Sequence, residues 1–272
     1  MTDDLENVAD VRLRLALWQC QSVPAGVAEN LERLDDAAAQ AARHAADLLI
    51  TPEMMVTGYS LAADEAERLA DAEDGPIAAR VCEMARRHGI AILYGCVERA
   101  RDGLLYNAIR LVDGTGKPLA THHKTHLFGD IDRAMVAAGS VPPPVVTVAG
   151  WRVALLTCYE VEFPELVRSC AVRGADVICV PTANMIDYDV VQDVLLPARA
   201  LESQVYVAYA NYCGAERDLV FGGRSMVVAP TGSVIAEAGR IPDMILADTG
   251  RALLRGSRET YPYLADRRPE LY

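Results

Sequence analysis

The sequence predicts a single α/β domain, built as a layered sandwich with mixed β-sheets. Predicted strands and helices alternate from one end of the chain to the other, which is the pattern of α/β proteins. Two turn signals, at residues 113–116 and 230–232, join neighbouring strands as hairpins and interrupt this alternation. The 272 residues contain no linker or low-complexity segment, and 51% of them are apolar. We therefore expect mixed sheets around one large core rather than a purely parallel doubly wound sheet.

The individual elements follow from the runs and spacings of apolar residues. Apolar, β-branched or alternating runs predict strands, which we place at residues 12–19, 47–51, 91–98, 106–112, 117–122, 145–148, 153–157, 176–181, 205–211, 224–229, 233–237 and 244–248. Apolar residues at helical spacing predict helices at residues 27–45, 75–88 and 164–173, and another that ends near Ser203. Gly89 and Gly174 end two of these helices, because glycine readily adopts the left-handed conformation that follows a last helical turn.

The two ends of the chain are expected to differ from the rest of the domain. About residues 1–10 are predicted to be an N-terminal extension, and about residues 250–272 an extended C-terminal tail. Tyr261, Tyr263, Leu264 and Tyr272 make the tail apolar, so its docking at a subunit interface is expected.

Composition disfavours several classes of function. A net charge of −12 and an isoelectric point near 4.9 argue against nucleic acids and anionic membranes as partners. No stretch approaches a transmembrane span, and the acidic residues 1–6 do not have a signal-peptide layout, so we expect a cytoplasmic protein. The seven cysteines are scattered without a C-x-x-C pair, which predicts neither a disulfide framework nor a zinc site.

Cys158 stands where a predicted buried strand turns into a helix. Strand 153–157 delivers the thiol at its C-terminal end, and Pro164 lies where the first helical turn should begin. A thiol on a sharp strand-to-helix turn gains both exposure and nearby backbone N–H donors, as a nucleophile requires. Taken alone, however, Cys158 is better interpreted as a small buried hydrophobic residue.

Two further residues at strand ends change that interpretation. Glu53 has the apolar neighbours Met54 and Met55, and partial desolvation raises the pKa of a carboxylate toward the range of a general base. Lys124 is one of only two lysines among 26 basic residues. Each has an ordinary explanation, a helix N-terminal acid for Glu53 and a solvated lysine for Lys124. Together with Cys158 they supply a base, an oxyanion-binding cation and a nucleophile, a self-consistent set for acyl transfer.

Three clustered histidines offer competing interpretations. His122, His123 or His126 would serve Cys158 as its base in a papain-like site. The three would also be candidates to bind a metal ion. Adjacent strand residues point to opposite faces, however, so His122 and His123 cannot both reach one ion, and we predict no metal.

Three segments, in order, resemble the signature segments of the carbon–nitrogen hydrolase (nitrilase) family. They are Pro-Glu-x-x-x-Thr-Gly-Tyr at 52–59, Lys-Thr-His-Leu-Phe-Gly at 124–129 and Cys-Tyr-Glu-x-x-Phe-Pro-Glu at 158–165. Further similarity at residues 106–108, 199–202, 210–214 and 225–232 extends the resemblance over nearly the whole chain. Within the family, the loop after Lys124 and the C-terminal tail look like those of 5-aminopentanamidase and the R-stereoselective amidases. Val136 departs from that pattern, since a phenylalanine is expected there, close to the presumed pocket.

The resemblance implies a four-layer αββα sandwich that forms a homodimer or higher homo-oligomer, without metal or organic cofactor. It also implies that Glu53 is the general base, Lys124 the oxyanion stabiliser and Cys158 the nucleophile. Many members carry another glutamate shortly after the lysine, which here corresponds to Asp132, one methylene shorter, with Asp130 as the alternative. Substrate-binding residues, including the backbone N–H of Tyr159 in the oxyanion hole, are expected at Tyr59, Tyr159, Glu160, Thr182 and Asn184.

The activity that the resemblance implies is a cysteine-dependent amidase. It would hydrolyse a small aliphatic primary amide to a carboxylate and ammonia through a thioester. An ω-amino amide such as 5-aminopentanamide is a candidate substrate, whose ammonium would meet acids near the pocket, among Asp130, Asp132, Glu160, Asp187 and Asp189. An N-carbamoyl amidohydrolase of the same family is one alternative, and a non-catalytic small-molecule-binding or scaffold protein is another.

Overall fold

The computed structural model of the chain describes residues 12–271. The strands are β1 (Arg12–Gln19), β2 (Leu48–Ile50), β3 (Ala91–Arg99), β4 (Leu105–Val112), β5 (Pro118–His123), β6 (Val145–Val148), β7 (Trp151–Leu155), β8 (Val177–Pro181), β9 (Tyr206–Ala210), β10 (Cys213–Glu216), β11 (Leu219–Gly222), β12 (Met226–Val228), β13 (Val234–Glu237) and β14 (Asp243–Gly250). The α-helices are α1 (Val27–Arg43), α2 (Ala63–Leu69), α3 (Pro76–His88), α4 (Gly129–Arg133), α5 (Pro164–Val172), α6 (Leu196–Ser203) and α7 (Arg251–Thr260). Short 3₁₀ or π turns occupy Cys158–Glu162, Ile186–Tyr188, Val191–Leu195 and Pro269–Leu271.

The strands form two mixed six-stranded sheets and a separate ribbon. The first sheet has the order β14-β1-β2-β3-β4-β5, and the second has the order β13-β12-β9-β8-β7-β6. The central strands of each sheet are parallel (β1-β2-β3 and β7-β8-β9), whereas the outer pairs are antiparallel. Strands β10 and β11 pair with each other and with no other strand of residues 12–271, although Phe221 of β11 forms an isolated bridge with Met185. The predicted combination of parallel strands with hairpins is therefore confirmed.

Side chains alternate between the two faces of each sheet, and this alternation builds the layers. Leu13, Leu15 and Leu17 of β1 join Trp151 in the core between the two sheets. Ala16 of β1 faces the opposite way and packs with residues of α1 and α3. The outer face of the second sheet packs in the same way on α5 and α6. The molecule is thus one αββα domain, as the sequence predicts.

The C-terminal segment differs from the prediction. Residues 251–260 form helix α7 instead of an extended tail. Leu254 is buried in the inter-sheet core, and the hydroxyl of Ser257 donates to the carbonyl of Pro230 at 3.0 Å. The apolar residues of α7 are consecutive, at 252–254, and Gly256 follows them, so the segment lacks the helical spacing of apolar residues that reveals the other helices in the sequence. The predicted N-terminal extension and Tyr272 lie outside the described residues.

Other differences are small. The prediction missed the short helices α2 and α4 and the β10-β11 ribbon. It also ended β7 two residues too late, because Thr157 already caps the 3₁₀ turn that begins at Cys158. No helix in residues 12–271 is long and apolar enough to cross a membrane.

Candidate active site

The three residues predicted to react all follow the C-terminal ends of strands. Glu53 follows β2 and Lys124 follows β5 in the first sheet, and Cys158 follows β7 in the second. The backbone N–H of Glu53 donates to the carbonyl of Thr182, just after β8, at 3.2 Å. This hydrogen bond fastens the end of one sheet to the end of the other, so the strand ends converge on one site.

Lys124 occupies the centre of that site. Its Nζ lies 2.7 Å from Oε1 of Glu53 and 2.7 Å from Oδ2 of Asp132, and all three side chains are fully buried. Asn107 of β4 donates from Nδ2 to the same Oε1 atom at 2.7 Å. Oε2 of Glu53 receives no N–H or O–H donor from residues 12–271. One carboxylate oxygen is therefore held by two donors, and the other is free to accept a proton.

Cys158 begins the 3₁₀ turn in a strained conformation. Its φ angle is +47°, in the left-handed region that residues with a side chain seldom adopt, and this turns the thiol sharply out of the strand direction. The thiol lies beside the Glu53 carboxylate, the Thr182 hydroxyl and the backbone N–H of Ala183. Only 9% of the residue is exposed, so the thiol is largely shielded from solvent.

Burial and neighbouring charges determine the protonation of this site. Burial, with the nearby Glu53 charge, raises the pKa of the Cys158 thiol, and Lys124 only partly opposes this rise. Burial also raises the pKa of Glu53 above its ordinary value, although Lys124 lowers it. Burial alone would lower the pKa of Lys124, but the charges of Glu53, Cys158 and Asp132 raise it. The resting site therefore holds a neutral thiol and an ammonium, and the thiol needs a base in order to react.

Asp132 lies where the family resemblance predicts a further acid. Besides Lys124, its Oδ2 accepts the backbone N–H of Phe128 at 2.8 Å, and its Oδ1 accepts the hydroxyl of Tyr59 at 3.1 Å. Helix α4 begins directly after Phe128 and brings this shorter side chain to the lysine. Asp130, the alternative, is exposed.

Tyr59 and Glu160 do not have the surroundings expected of substrate-binding residues. Tyr59 has no exposed surface, and its hydroxyl is used by Asp132. Glu160 is fully buried, and its two oxygens bind the ring of His122, the backbone N–H groups of Thr125 and Thr157, and the Thr125 hydroxyl. These donors occupy both oxygens of the Glu160 carboxylate in this structure. Glu160 instead joins the strand end at Lys124 to the turn at Cys158.

The other groups predicted to bind substrate differ in whether they already have a hydrogen-bond partner. The N–H of Tyr159 lies in the first turn of the 3₁₀ helix, where backbone donors lack partners within the helix. Thr182 lies beside the Cys158 thiol and donates its hydroxyl to Tyr209 at 3.0 Å. Asn184 is less available, because its amide N–H groups already bind the carbonyl of Tyr188 and the side chain of Gln192.

The clustered histidines are engaged elsewhere. His122 binds Glu160 and His123 binds Glu98 at 3.0 Å, on opposite faces of β5 as the strand alternation predicts. His126 packs against the ring of Phe163. In the part of the chain that the structure describes, no three His, Cys, Asp or Glu side chains are grouped as metal ligands. Neither the papain-like site nor the histidine metal site has the geometry it needs.

Most of the acids proposed to meet a substrate amine already have partners. Asp189 forms ion pairs with Arg240 and with Arg224, while Asp132 and Glu160 are used as described above. Asp187 is exposed on the Ile186–Tyr188 turn. Val136, the position where a phenylalanine is expected, is buried with Tyr59 in an apolar cluster.

Sequence reasoning missed Asn107 as a functional residue. The motif Tyr-Asn-Ala at 106–108 contributed to the family resemblance, but no property of an isolated asparagine shows that it binds a carboxylate from another strand. The backbone carbonyl of Asn107 also accepts the backbone N–H of Lys124 at 2.9 Å. Asn107 thus contacts both charged partners in the site.

Comparison with known proteins identifies the family of this chain. The model of the carbon–nitrogen hydrolase family matches residues 14–259. A hydrolase encoded in the pqqF 5′ region of Pseudomonas protegens is 49% identical over 96% of this chain and 90% of its own length. An (R)-stereoselective amidase from a Pseudomonas species is 34% identical over 94% of this chain and 92% of its own length.

Solved structures give the same result. A double mutant of the amidase from Nesterenkonia sp. AN1, in complex with acrylamide, superposes with a TM-score of 0.84 and 36% identity, covering 97% of each chain. A single mutant of that amidase shows covalent addition of the acetamide moiety of fluoroacetamide at its active-site cysteine, at a TM-score of 0.83 and 36% identity over 97% of each chain. The protein described here therefore belongs to the carbon–nitrogen hydrolase family and is a hydrolase of non-peptide carbon–nitrogen bonds.

Proposed function

We propose that this protein is an amidase that cleaves small aliphatic primary amides through a thioester on Cys158. The observation that carries the proposal is the contact of one buried carboxylate, Glu53, with both a buried ammonium and the thiol. In acyl transfer the thiol must lose a proton at the moment when an oxyanion forms nearby. A base and a cation held next to each other serve both needs.

In the first half of the proposed reaction, Oε2 of Glu53 takes the thiol proton and the sulfur of Cys158 attacks the amide carbon. The carbonyl π-electrons move to oxygen, which gives a tetrahedral oxyanion. As the oxyanion collapses, the carbon–nitrogen bond breaks, and Glu53 gives its proton to the departing nitrogen, so that ammonia leaves. The raised pKa of Glu53 suits this exchange, because a carboxylate that holds a proton more readily can take it from the thiol and then return it to the leaving nitrogen.

In the second half, a water molecule replaces ammonia beside Glu53. The carboxylate takes a proton from the water, whose oxygen attacks the thioester carbon. The carbon–sulfur bond then breaks, and the thiolate regains its proton from Glu53. The free carboxylic acid leaves, and the resting site is restored without any cofactor.

The oxyanion is stabilised by Lys124 and the backbone N–H of Tyr159 in this proposal. An ammonium has three N–H groups, and two of them are directed at Glu53 and Asp132. The third remains for the substrate oxygen. Removal of a donor of this kind commonly costs about 3–4 kcal/mol of transition-state stabilisation. Burial strengthens the effect, since water does not screen these charges.

We further propose that the substrate carries an amine, as in 5-aminopentanamide. The supporting residue is Glu162, at the end of the turn that Cys158 begins. Its carboxylate is half-buried, which raises its pKa, and it accepts no hydrogen bond from residues 12–271, although Arg199 and Lys124 lie close enough to favour its charged form. Hydrogen bonds from Arg199 to the carbonyls of Val161 and Glu162 hold the backbone of this turn in place. A substrate ammonium would give this carboxylate the donor that it lacks.

We propose in addition a cytoplasmic homodimer. Seven free cysteines are typical of a reducing compartment. Tyr261, Tyr263 and Leu271 are exposed after α7, and a partner subunit would cover them. A monomeric mass in analytical ultracentrifugation would contradict the dimer.

The amidase proposal predicts that the protein releases ammonia from acetamide, butyramide, pentanamide or 5-aminopentanamide. Cys158→Ala should lower kcat by at least about 10³-fold, because it removes the nucleophile. Ammonia release is followed by a coupled dehydrogenase assay, and circular dichroism checks that the variant is folded. Absence of ammonia from every amide would refute the amidase proposal. Release from N-carbamoyl compounds alone would favour the alternative amidohydrolase, and no turnover of either class would favour a non-catalytic protein.

The state of Glu53 predicts the pH dependence of kcat/KM. The free enzyme needs ionised Glu53, so activity should rise as the pH increases through the pKa of this residue. Because burial raises that pKa, the acid limb should have its midpoint above about pH 4.3, the value of an unperturbed glutamate. Asn107→Leu removes a donor to the ionised form and should move the midpoint to still higher pH. A midpoint that Asn107→Leu leaves unchanged would speak against Glu53 as the base.

The proposed role of Glu162 predicts a change of specificity. Glu162→Gln should lower kcat/KM for 5-aminopentanamide about tenfold or more, since a charge-assisted hydrogen bond is lost. Pentanamide, which has the same length but no amine, is the matched control and should be hydrolysed as before. Equal losses on both substrates would mean that Glu162 supports the site in general and does not recognise the amine.

A further inference from the structure

A buried glutamate outside the catalytic strands holds the loop that carries Tyr59. Glu216, at the end of β10, is only 2% exposed. Its Oε1 accepts the backbone N–H of Tyr59 at 3.1 Å and also the backbone N–H of Ser60. This contact joins the β10-β11 ribbon, from the second half of the chain, to the loop that begins at Glu53.

That loop depends on contacts of this kind for its position. It has no regular secondary structure between Glu53 and Ser60, and it contains two left-handed residues, Met54 with φ of +50° and Gly58 with φ of +88°. A Cβ atom at Gly58 would lie 2.6 Å from the Cα of Pro24, so the loop passes through a narrow space. Local conformational preference does not select such a path, and tertiary hydrogen bonds must stabilise it.

The clamped residue leads directly to the lysine. The Tyr59 hydroxyl donates to Oδ1 of Asp132, and Oδ2 of Asp132 accepts Nζ of Lys124 at 2.7 Å. Tyr59 is fully buried and its ring is packed on all sides. A shift of its backbone therefore also moves its hydroxyl. Glu216 is thereby connected with Lys124 through three consecutive contacts.

We propose that Glu216 is a positioning residue for the reaction. It fixes the backbone of Tyr59, the Tyr59 hydroxyl orients the short Asp132 side chain, and Asp132 directs the Lys124 ammonium toward the oxyanion. This inference rests on the proposed amidase function. Glu216 itself touches neither the thiol nor its base in the described structure, and its effect is exerted through Tyr59.

The test is a double-mutant cycle with amide turnover as the readout. Glu216→Met leaves the two N–H groups without their acceptor, and Tyr59→Phe removes only the hydroxyl. Each should lower kcat about tenfold, as expected for a lost hydrogen bond to a charged group, with a smaller change in KM. Both substitutions interrupt the same series of contacts between Glu216 and Lys124. The kcat of the double variant should therefore be no more than about twofold below that of the slower single variant. Losses that multiply would overturn the proposal.

Two conservative variants distinguish loss of the positioning contact from a general loss of structure. Glu216→Gln keeps an oxygen acceptor in place and should restore most of kcat. Glu65→Gln weakens the ion pair between Glu65 and Arg217, which links the same ribbon to the segment after the loop, and should leave kcat unchanged. If Glu216→Met does not fold, Glu216→Asp takes its place in the cycle, since it withdraws the carboxylate by one methylene. Full activity of a folded Glu216→Met or Glu216→Asp variant would also overturn the proposal.

A second readout does not depend on amide turnover. The Lys124 charge favours the Cys158 thiolate, so displacement of the ammonium should raise the pH midpoint for alkylation of Cys158 by iodoacetamide, measured by peptide mass spectrometry. The midpoint should rise in Glu216→Met and Tyr59→Phe but not in Glu65→Gln. If the unmodified protein releases no ammonia while these midpoints still shift, the amidase function fails and the positioning contact stands. Unchanged midpoints would refute the positioning contact.

Discussion

The structure depends on one buried ammonium, that of Lys124, held between the carboxylates of Glu53 and Asp132. A charge without solvent contact is costly unless oppositely charged groups surround it at hydrogen-bonding distance. The first carboxylate follows β2 and the second lies in α4, so the end of the first sheet and the loop after β5 must meet. The hydrogen bond from Glu53 to the Thr182 carbonyl then places the second sheet, with Cys158, against the same ammonium.

This arrangement explains how a thiol with a raised pKa can still be a nucleophile. The site does not store a thiolate, because burial and the Glu53 charge oppose one. Two donors occupy Oε1 of Glu53, and in the proposed mechanism the unpartnered Oε2 takes the proton that the thiol releases during attack. The charges inside the site therefore change least when proton transfer and oxyanion formation occur together. Burial favours such concerted chemistry, since solvent is not available to stabilise separated charges.

Local patterns predicted a layered sandwich with mixed sheets and the strand ends that carry Glu53, Lys124 and Cys158, whereas the four αββα layers were implied by the family resemblance. Strand alternation also separated His122 from His123 correctly. Glu160 was predicted to bind substrate because its carboxylate lies close to Cys158 in the chain, whereas the structure shows its oxygens bound by groups at the end of β5 and by the N–H of Thr157. Asn107 and Glu216 were not predicted as site residues, since their importance arises from contacts with residues distant in the chain. Helix α7 was missed because its apolar residues are consecutive and do not recur at helical spacing.

The central claim is that Cys158 carries the acyl group during turnover. The most direct test is rapid acid quenching of the protein during hydrolysis of butyramide, followed by peptide mass spectrometry. The account predicts a butyryl group on the peptide that contains Cys158, and neither the adduct nor turnover in Cys158→Ala. Continued turnover by Cys158→Ala, or an acyl group on another residue, would contradict it.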